Sequence, residues 1–365
     1  MASDRVTGHD AASSTATAPS AGVVIDRAPL PASGPWPTLD PFLFCVHHLD
    51  AYPRGNGRLG PDAPLDGRAI GNDFSVLDGW SMYHGSRVPG FPQHPHRGFE
   101  TVTFVRRGLV DHSDSMGATA RYGRGDVQWL TAGEGIVHAE MFPLTSTDGD
   151  NPLELFQIWV NLPAASKMAR PHFAMLWAED IPTVEERDDR GGRVSVTVAA
   201  GEYRGHTPPP PPPDSWAARD GSDVAIWLAT LEAGASWDLP PARGGHATTR
   251  ALYVPHNSSA VQVGGETLPA GTVAVVAGDH ALRLTAEGPG EVLVLQGRPI
   301  GEPVAQYGPF VMNTEDEIRA AFADYRATGF GGWPWSDDDP NHGSDAGRFA
   351  LHADGTLDEP PEPTG

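Results

Sequence analysis

The sequence predicts an all-β protein of two packed units, and three observations carry that reading. Its 365 residues exceed a single domain of about 150. Its 43 Gly and 36 Pro favour turns over long helices and exclude a helical bundle. Between them, short β-branched and aromatic runs recur at strand length, the pattern of an antiparallel sandwich or barrel.

Residues 1–36, rich in Ala, Ser, Thr and Pro, hold little to bury, so a flexible leader is expected. Strand runs then follow at Phe42-Leu43-Phe44, Thr101 to Val105, Val127 to Leu130, Leu155 to Val160 and Val194 to Val198, which place a first β domain over 37–200. Pro208 to Pro213 form a stiff rod that cannot donate to a sheet ladder, and 201–222 read as a strap between domains. The rhythm resumes at Val224 to Leu228, Leu252 to Val254, Ala260 to Val263, Thr272 to Val276 and Val292 to Leu295, giving a second β domain over 223–331. This domain closes on one helix: Thr314 and Glu317 make a capping box, Ile318, Phe322 and Tyr325 share a face, and Gly329 stops it. The tail, 332–365, is acidic around Asp337-Asp338-Asp339 and is expected to be loosely held.

Charge and apolar content narrow the function classes. With 25 Lys and Arg against 47 Asp and Glu, the net charge of −22 repels a phosphate backbone, and no basic patch offsets it. No apolar run reaches the roughly 18 residues of a membrane span, and no secretory signal opens the chain, so a cytoplasmic protein without membrane partners is expected. The single cysteine, Cys45, excludes an intrachain disulfide framework and reads as a small buried hydrophobe.

The chemistry concentrates in His94-Pro95-His96-Arg97-Gly98-Phe99-Glu100 and, about forty residues on, Gly133-Glu134-Gly135-Ile136-Val137-His138-Ala139-Glu140. Residues i and i+2 of a strand face the same way, so His94 with His96, and His138 with Glu140, can converge from neighbouring strands. Three imidazoles and one carboxylate suit a divalent first-row transition metal. Periodicity leaves the carboxylate open, because Glu100 shares the parity of His94 and His96. His47, His48 and His84 lie near the expected mouth with no spacing that fixes geometry. In the second domain His246 and His256 form no such pair, and a metal-free barrel is expected there.

These residues resemble the pirin family of the cupin superfamily. The run from Pro89 to Glu140 is similar to its N-terminal signature, and Glu302-Pro303-Val304-Ala305-Gln306-Tyr307-Gly308-Pro309-Phe310-Val311-Met312-Asn313 to its C-terminal one. The resemblance spans about Pro41 to Gly331. It implies a bicupin, two tandem jelly-roll β-barrels with a C-terminal helix, in which the first binds one metal. The ligands it implies are His94, His96, His138 and Glu140, with Glu100 in reserve. The ion implied is iron(II), with Mn, Co, Ni, Cu or Zn as the other candidates. Between His48 and Met82 the chain departs from the family through a longer Gly/Asp/Pro-rich segment.

Two functions follow from the resemblance. One is a quercetin 2,3-dioxygenase-type enzyme acting with dioxygen on a flavonol or related aromatic hydroxyl compound. There Glu140 is both ligand and catalytic base, and Phe91, Phe99 and Trp129 are candidate walls, Trp129 reading first as core. The other is a metal-dependent, redox-responsive interaction protein or transcriptional cofactor acting through a protein partner. A monomer is expected in either case.

Overall fold

Alternation of inward and outward side chains along short strands builds the architecture. The computed structural model describes residues 23–362. In the first barrel one sheet runs, in spatial order, His172–Leu176, Val127–Thr131, Phe99–Arg107, Asn151–Asn161 and Phe42–Tyr52. The facing sheet runs Leu357–Asp358, Phe349–Leu351, Thr119–Gly123, Leu109–Asp114, Ile136–Met141 and Gly90–His96. All pairings are antiparallel, as expected for a jelly-roll. Val105, Leu130, Leu155, Tyr122 and Ile136 fill its interior.

The second barrel has a seven-stranded sheet, Val24–Pro29, Thr272–Val276, Thr249–Val254, Gly290–Gly297, Ala225–Leu231, Arg193–Ala200 and Thr183–Arg187. It faces a four-stranded sheet, Ser236–Leu239, Leu282–Ala286, Val261–Val263 and Glu266–Leu268. The five-stranded sheet of the first barrel stacks face to face on the seven-stranded sheet of the second. Val102, Phe104, Trp129, Phe156 and Ile158 of the first join Ile226, Leu228, Tyr253, Leu293 and Leu295 of the second in one buried core. At its rim Arg106 donates bidentately to Glu291, at 2.8 and 2.5 Å.

The expected helix is Glu315–Thr328. Thr314 and Glu317 form the capping box, Gly329 closes it in the left-handed region, and Ile318 and Phe322 pack on Phe310 and Met312.

Four expected boundaries move. Leader residues 1–22 lie outside the described residues, but Val24–Pro29 is a strand paired to Thr272–Val276, and Trp36 stacks 5.7 Å from Tyr253. An open sheet edge supplies the partner that composition alone does not reveal. Thr183–Arg187 and Arg193–Ala200 belong to the second barrel, so the first contributes no strand beyond Leu176 before the tail. Because Arg193–Ala200 pairs directly with Ala225–Leu231, segment 201–222 is an excursion within one sheet rather than a tether between domains. It crosses to the first barrel, where the Ser215 hydroxyl donates to Glu100 Oε2 at 2.5 Å. The tail is held: Phe349–Leu351 pairs with Thr119–Gly123, and Trp335 Nε1 donates to Asp114 O at 2.9 Å. The buried Arg121 guanidinium, paired with Asp111, takes His342, Gly343 and Ala346 carbonyls as further acceptors. Acidic composition suggested solvation, whereas the backbone oxygens of the tail satisfy a buried cation.

Gly98, at φ +86°, turns the chain from one sheet of the first barrel to the other. A Cβ there would stand 1.9 Å from Val311 O. Gly98→Ala is expected to cost at least about 2 kcal/mol in urea denaturation through backbone strain and overpacking. Gly343→Ala, whose Cβ meets nothing within 4 Å, should stay within about 0.5 kcal/mol of wild type.

A second expectation concerns Glu100, fully buried between Thr131 and Ser215. Burial pushes its carboxyl up from 4.5 to about 7, against the lowering effect of those hydrogen bonds. The folded state then binds the proton more tightly than the unfolded one, so this group's contribution is complete at acid pH and is lost as pH rises from 4.5 through 7. Glu100→Gln should therefore gain about 1–3 kcal/mol relative to wild type across that window in denaturation at stepped pH. A difference that does not vary with pH would contradict the assignment.

Candidate metal centre

The strand Gly90–His96 lies at the edge of its sheet, the position where Pro92 and Pro95 can enter a strand without breaking an inner ladder. It pairs with Ile136–Met141 so that His94 stands opposite His138, after a bulge between Phe91 and His94. His96 projects to the same side as His94. One ring nitrogen from each of the three histidines lies within 4.8 Å of the others.

Their hydrogen bonds set the tautomers. His94 Nδ1 is 2.9 Å from Pro92 O, and His96 Nδ1 is 3.4 Å from Pro309 O. A carbonyl only accepts, so each Nδ1 carries the hydrogen and each Nε2 keeps its lone pair. His138 is fully buried, and neither of its ring nitrogens has a hydrogen-bond partner among the described residues. Burial lowers His94 to about 4, and burial with the neighbouring imidazoles holds His96 and His138 well below the ordinary range. Three neutral imidazoles with unspent lone pairs are therefore gathered, His96 and His138 out of water and His94 half-buried at the cavity, at a cost that a coordinated cation would offset. The donor set suits a divalent transition metal.

Glu140 Oε2 stands 3.8 Å from His138 Nε2. Thr103 Oγ1 lies 3.1 Å from Oε1, and Gln157 Nε2 donates to Oε2 at 3.1 Å. Burial raises this carboxyl above its ordinary value, against lowering by His112 and these two partners. A cavity of about 200 Å³ opens beside the cluster, lined by Phe44, His48, Phe91, Phe142, Gln157 and Trp159.

Glu100 is not part of this group. The turn at Arg97-Gly98 moves the chain into the facing sheet, where Glu100 shares the outer face of Val102 and Phe104 toward the second barrel. Parity cannot be carried through a residue at positive φ. Of the mouth histidines, His48 lines the cavity, while His47 stacks on Phe156 and pairs with Glu154. His84 is exposed against Gly71 O. His246 pairs with Asp279 at the surface of the second barrel, and His256 meets Pro31 O. Phe91 lines the cavity, Phe99 packs on Trp159, and Trp129 is buried between the barrels. Cys45 is fully buried, which pushes its thiol far up. The reading of the sequence did not single out Thr103 and Gln157, although a glutamine inside the apolar run Leu155-Phe156-Gln157-Ile158-Trp159 was visible as an inward polar group.

Known proteins resemble this chain over both of its barrels. The pirin family model matches residues 64–160, and the pirin C-terminal cupin domain matches 226–331. A Pseudomonas aeruginosa protein that carries a provisional quercetin 2,3-dioxygenase name is 41% identical over 239 residues, 65% of this chain and 77% of that protein. A pirin-like protein of Solanum lycopersicum is 36% identical over 256 residues, 69% of this chain and 80% of its own length. The crystal structure of a quercetin 2,3-dioxygenase from Acinetobacter baumannii matches with TM-score 0.65 and 28% identity, covering 85% of this chain and 99% of that one. Two family domains in the expected order, together with relatives matched over more than two thirds of their length, settle the classification: this chain belongs to the pirin family.

Proposed function

We propose that the chain is a metal-dependent dioxygenase of flavonols or related aromatic hydroxyl compounds, with His94, His96, His138 and Glu140 holding one divalent transition ion. The observation that carries this reading is the trio of neutral imidazoles beside a carboxylate, with His96 and His138 buried and His94, His96 and Glu140 lining an aromatic-walled cavity. Similarity to proteins named as quercetin 2,3-dioxygenases supports it. Iron(II) is the ion proposed, supplying Lewis acidity toward a substrate hydroxyl and redox chemistry toward dioxygen.

The protein's own part is to bind, orient and move a proton. Phe44, Phe91, Phe142 and Trp159 offer faces and edges to a flat ring and keep water from its path. The cavity of about 200 Å³ is below the roughly 300 Å³ at which pockets enclose drug-sized ligands. It admits the hydroxyl-bearing ring, and the rest of a flavonol would lie at the mouth. Glu140, its pKa raised by burial and its orientation set by Thr103 and Gln157, is placed to take the hydroxyl proton on its carboxylate.

Purified protein is expected to contain close to one transition-metal ion per chain by elemental analysis, and His94→Ala or His138→Ala to lose it. Unchanged content in both variants overturns the ligand assignment. Wild type should consume oxygen and bleach the flavonol absorption band, with Glu140→Gln slower by about 10²–10⁴. Full metal content with no turnover of flavonols or catechols would replace the enzyme with the metal-dependent interaction role.

A further inference from the structure

The chain's longer segment between His48 and Met82 builds a buried polar relay ending in the cavity wall. Arg68 stacks on the Trp80 ring at 3.4 Å and donates to Asp73, Trp80 O and Leu77 O. Asp73 in turn accepts from Met82 N, and its backbone pairs with that of Tyr83. So held, Tyr83 takes φ +56°, a conformation that costs a tyrosine about 1–3 kcal/mol and persists only where its surroundings impose it. Its hydroxyl then reaches Asp50 Oδ2 at 2.7 Å and His48 Nδ1 at 2.9 Å.

Counting hydrogens orients the relay. Asp50 Oδ1 is occupied by Ser81 N–H at 2.9 Å, and Oδ2 takes the single hydrogen of the Tyr83 hydroxyl. That hydroxyl has no second hydrogen, so the contact to His48 is Nδ1–H donating into the Tyr83 oxygen. Burial, with His47 nearby, lowers His48 to about 3, so the ring is neutral and carries one hydrogen. Its Nε2 is then a bare lone pair without a partner among the described residues, on a ring that lines the cavity and packs against Phe91, which also meets His94.

We propose that the Asp50–Tyr83–His48 relay fixes His48 Nε2 as a hydrogen-bond acceptor in the cavity, a specificity contact that selects aromatic substrates presenting a free O–H over their ethers. The inference rests on the reading of the cavity as a site for aromatic hydroxyl compounds. It assigns the loop insertion the work of aiming a second polar contact, separate from the imidazole cluster.

The test uses full-length protein at pH 8, above the value of about 7 to which burial raises the Asp50 carboxyl. With ¹⁵N-labelled protein supplied with diamagnetic Zn(II), long-range ¹H–¹⁵N correlation should show His48 protonated at Nδ1. In Asp50→Asn, Ser81 N–H retains the amide oxygen and the amide NH₂ faces Tyr83, so the hydroxyl turns toward His48 and the proton should move to Nε2. Binding of 3,7-dihydroxyflavone and 3-hydroxy-7-methoxyflavone, which share the metal-facing 3-hydroxyl and differ only in a second O–H, is then measured by fluorescence titration. The preference for the dihydroxy compound should fall by about fivefold to tenfold in both His48→Phe and Asp50→Asn, with affinity for the methyl ether retained. An Nε2-protonated His48 in wild type, or an undiminished preference in both variants, overturns the inference and leaves the reading of the cavity intact. Failure of wild type to bind either flavone overturns the cavity reading, and the selectivity with it.

Discussion

The register between Gly90–His96 and Ile136–Met141 is the constraint on which the site depends. A slip of one residue would turn His94 and His138 to opposite faces of the sheet and leave no cluster. Register is pinned from both sides. Ile136–Met141 also pairs with Leu109–Asp114, placing His112 opposite Glu140, and the bulge after Phe91 absorbs the one misalignment. The histidines are thus brought together by sheet geometry before any ion is considered, and their unspent lone pairs follow from which nitrogen a carbonyl can satisfy.

The two barrels share one continuous apolar layer and are tied by polar contacts at its margin. Lys167 is buried where the Gly98 turn meets the Phe310–Met312 strand, donating to Gly98 O, Asn161 Oδ1 and Val311 O, and burial lowers it to about 8. Its acceptors lie on both sides of the turn that carries His96 away from Glu100. The second barrel has no part in the cavity lining, yet its sheet backs the strands from which Thr103 and Gln157 point inward. It serves as a wall that keeps these strands dry on one side.

Much of this was legible in the residues. Each expected strand run falls within or overlaps a strand, because strands buried on both faces, such as Val127–Thr131, show in the residues as continuous β-branched and aromatic runs. The helix was legible through Thr314, Glu317 and Gly329, whose roles are local. Glu100 shows where periodicity fails: its alternation is reset at Gly98, which takes positive φ at a point where a Cβ would meet Val311 O, some two hundred residues away. The leader strand and the tail strand were hidden for a related reason. Each is short and borrows a partner distant in sequence, so its own composition carries little of the signal. Tyr83 is the opposite case. Its residue type was plain, but its role arises only from a left-handed backbone imposed by Arg68 and Asp73.

The pairing of Phe349–Leu351 onto Thr119–Gly123 has a consequence for the molecule's neighbours. Without it, Thr119–Gly123 would offer a bare ladder of amides and carbonyls to any passing chain. The tail itself occupies that ladder, and its own outer rim is only the two-residue strand Leu357–Asp358, flanked by Glu359 and Pro360. A short rim bordered by a charge and a proline is a poor template, so the segment Phe349–Asp358 shields the first barrel from sticking to its own kind.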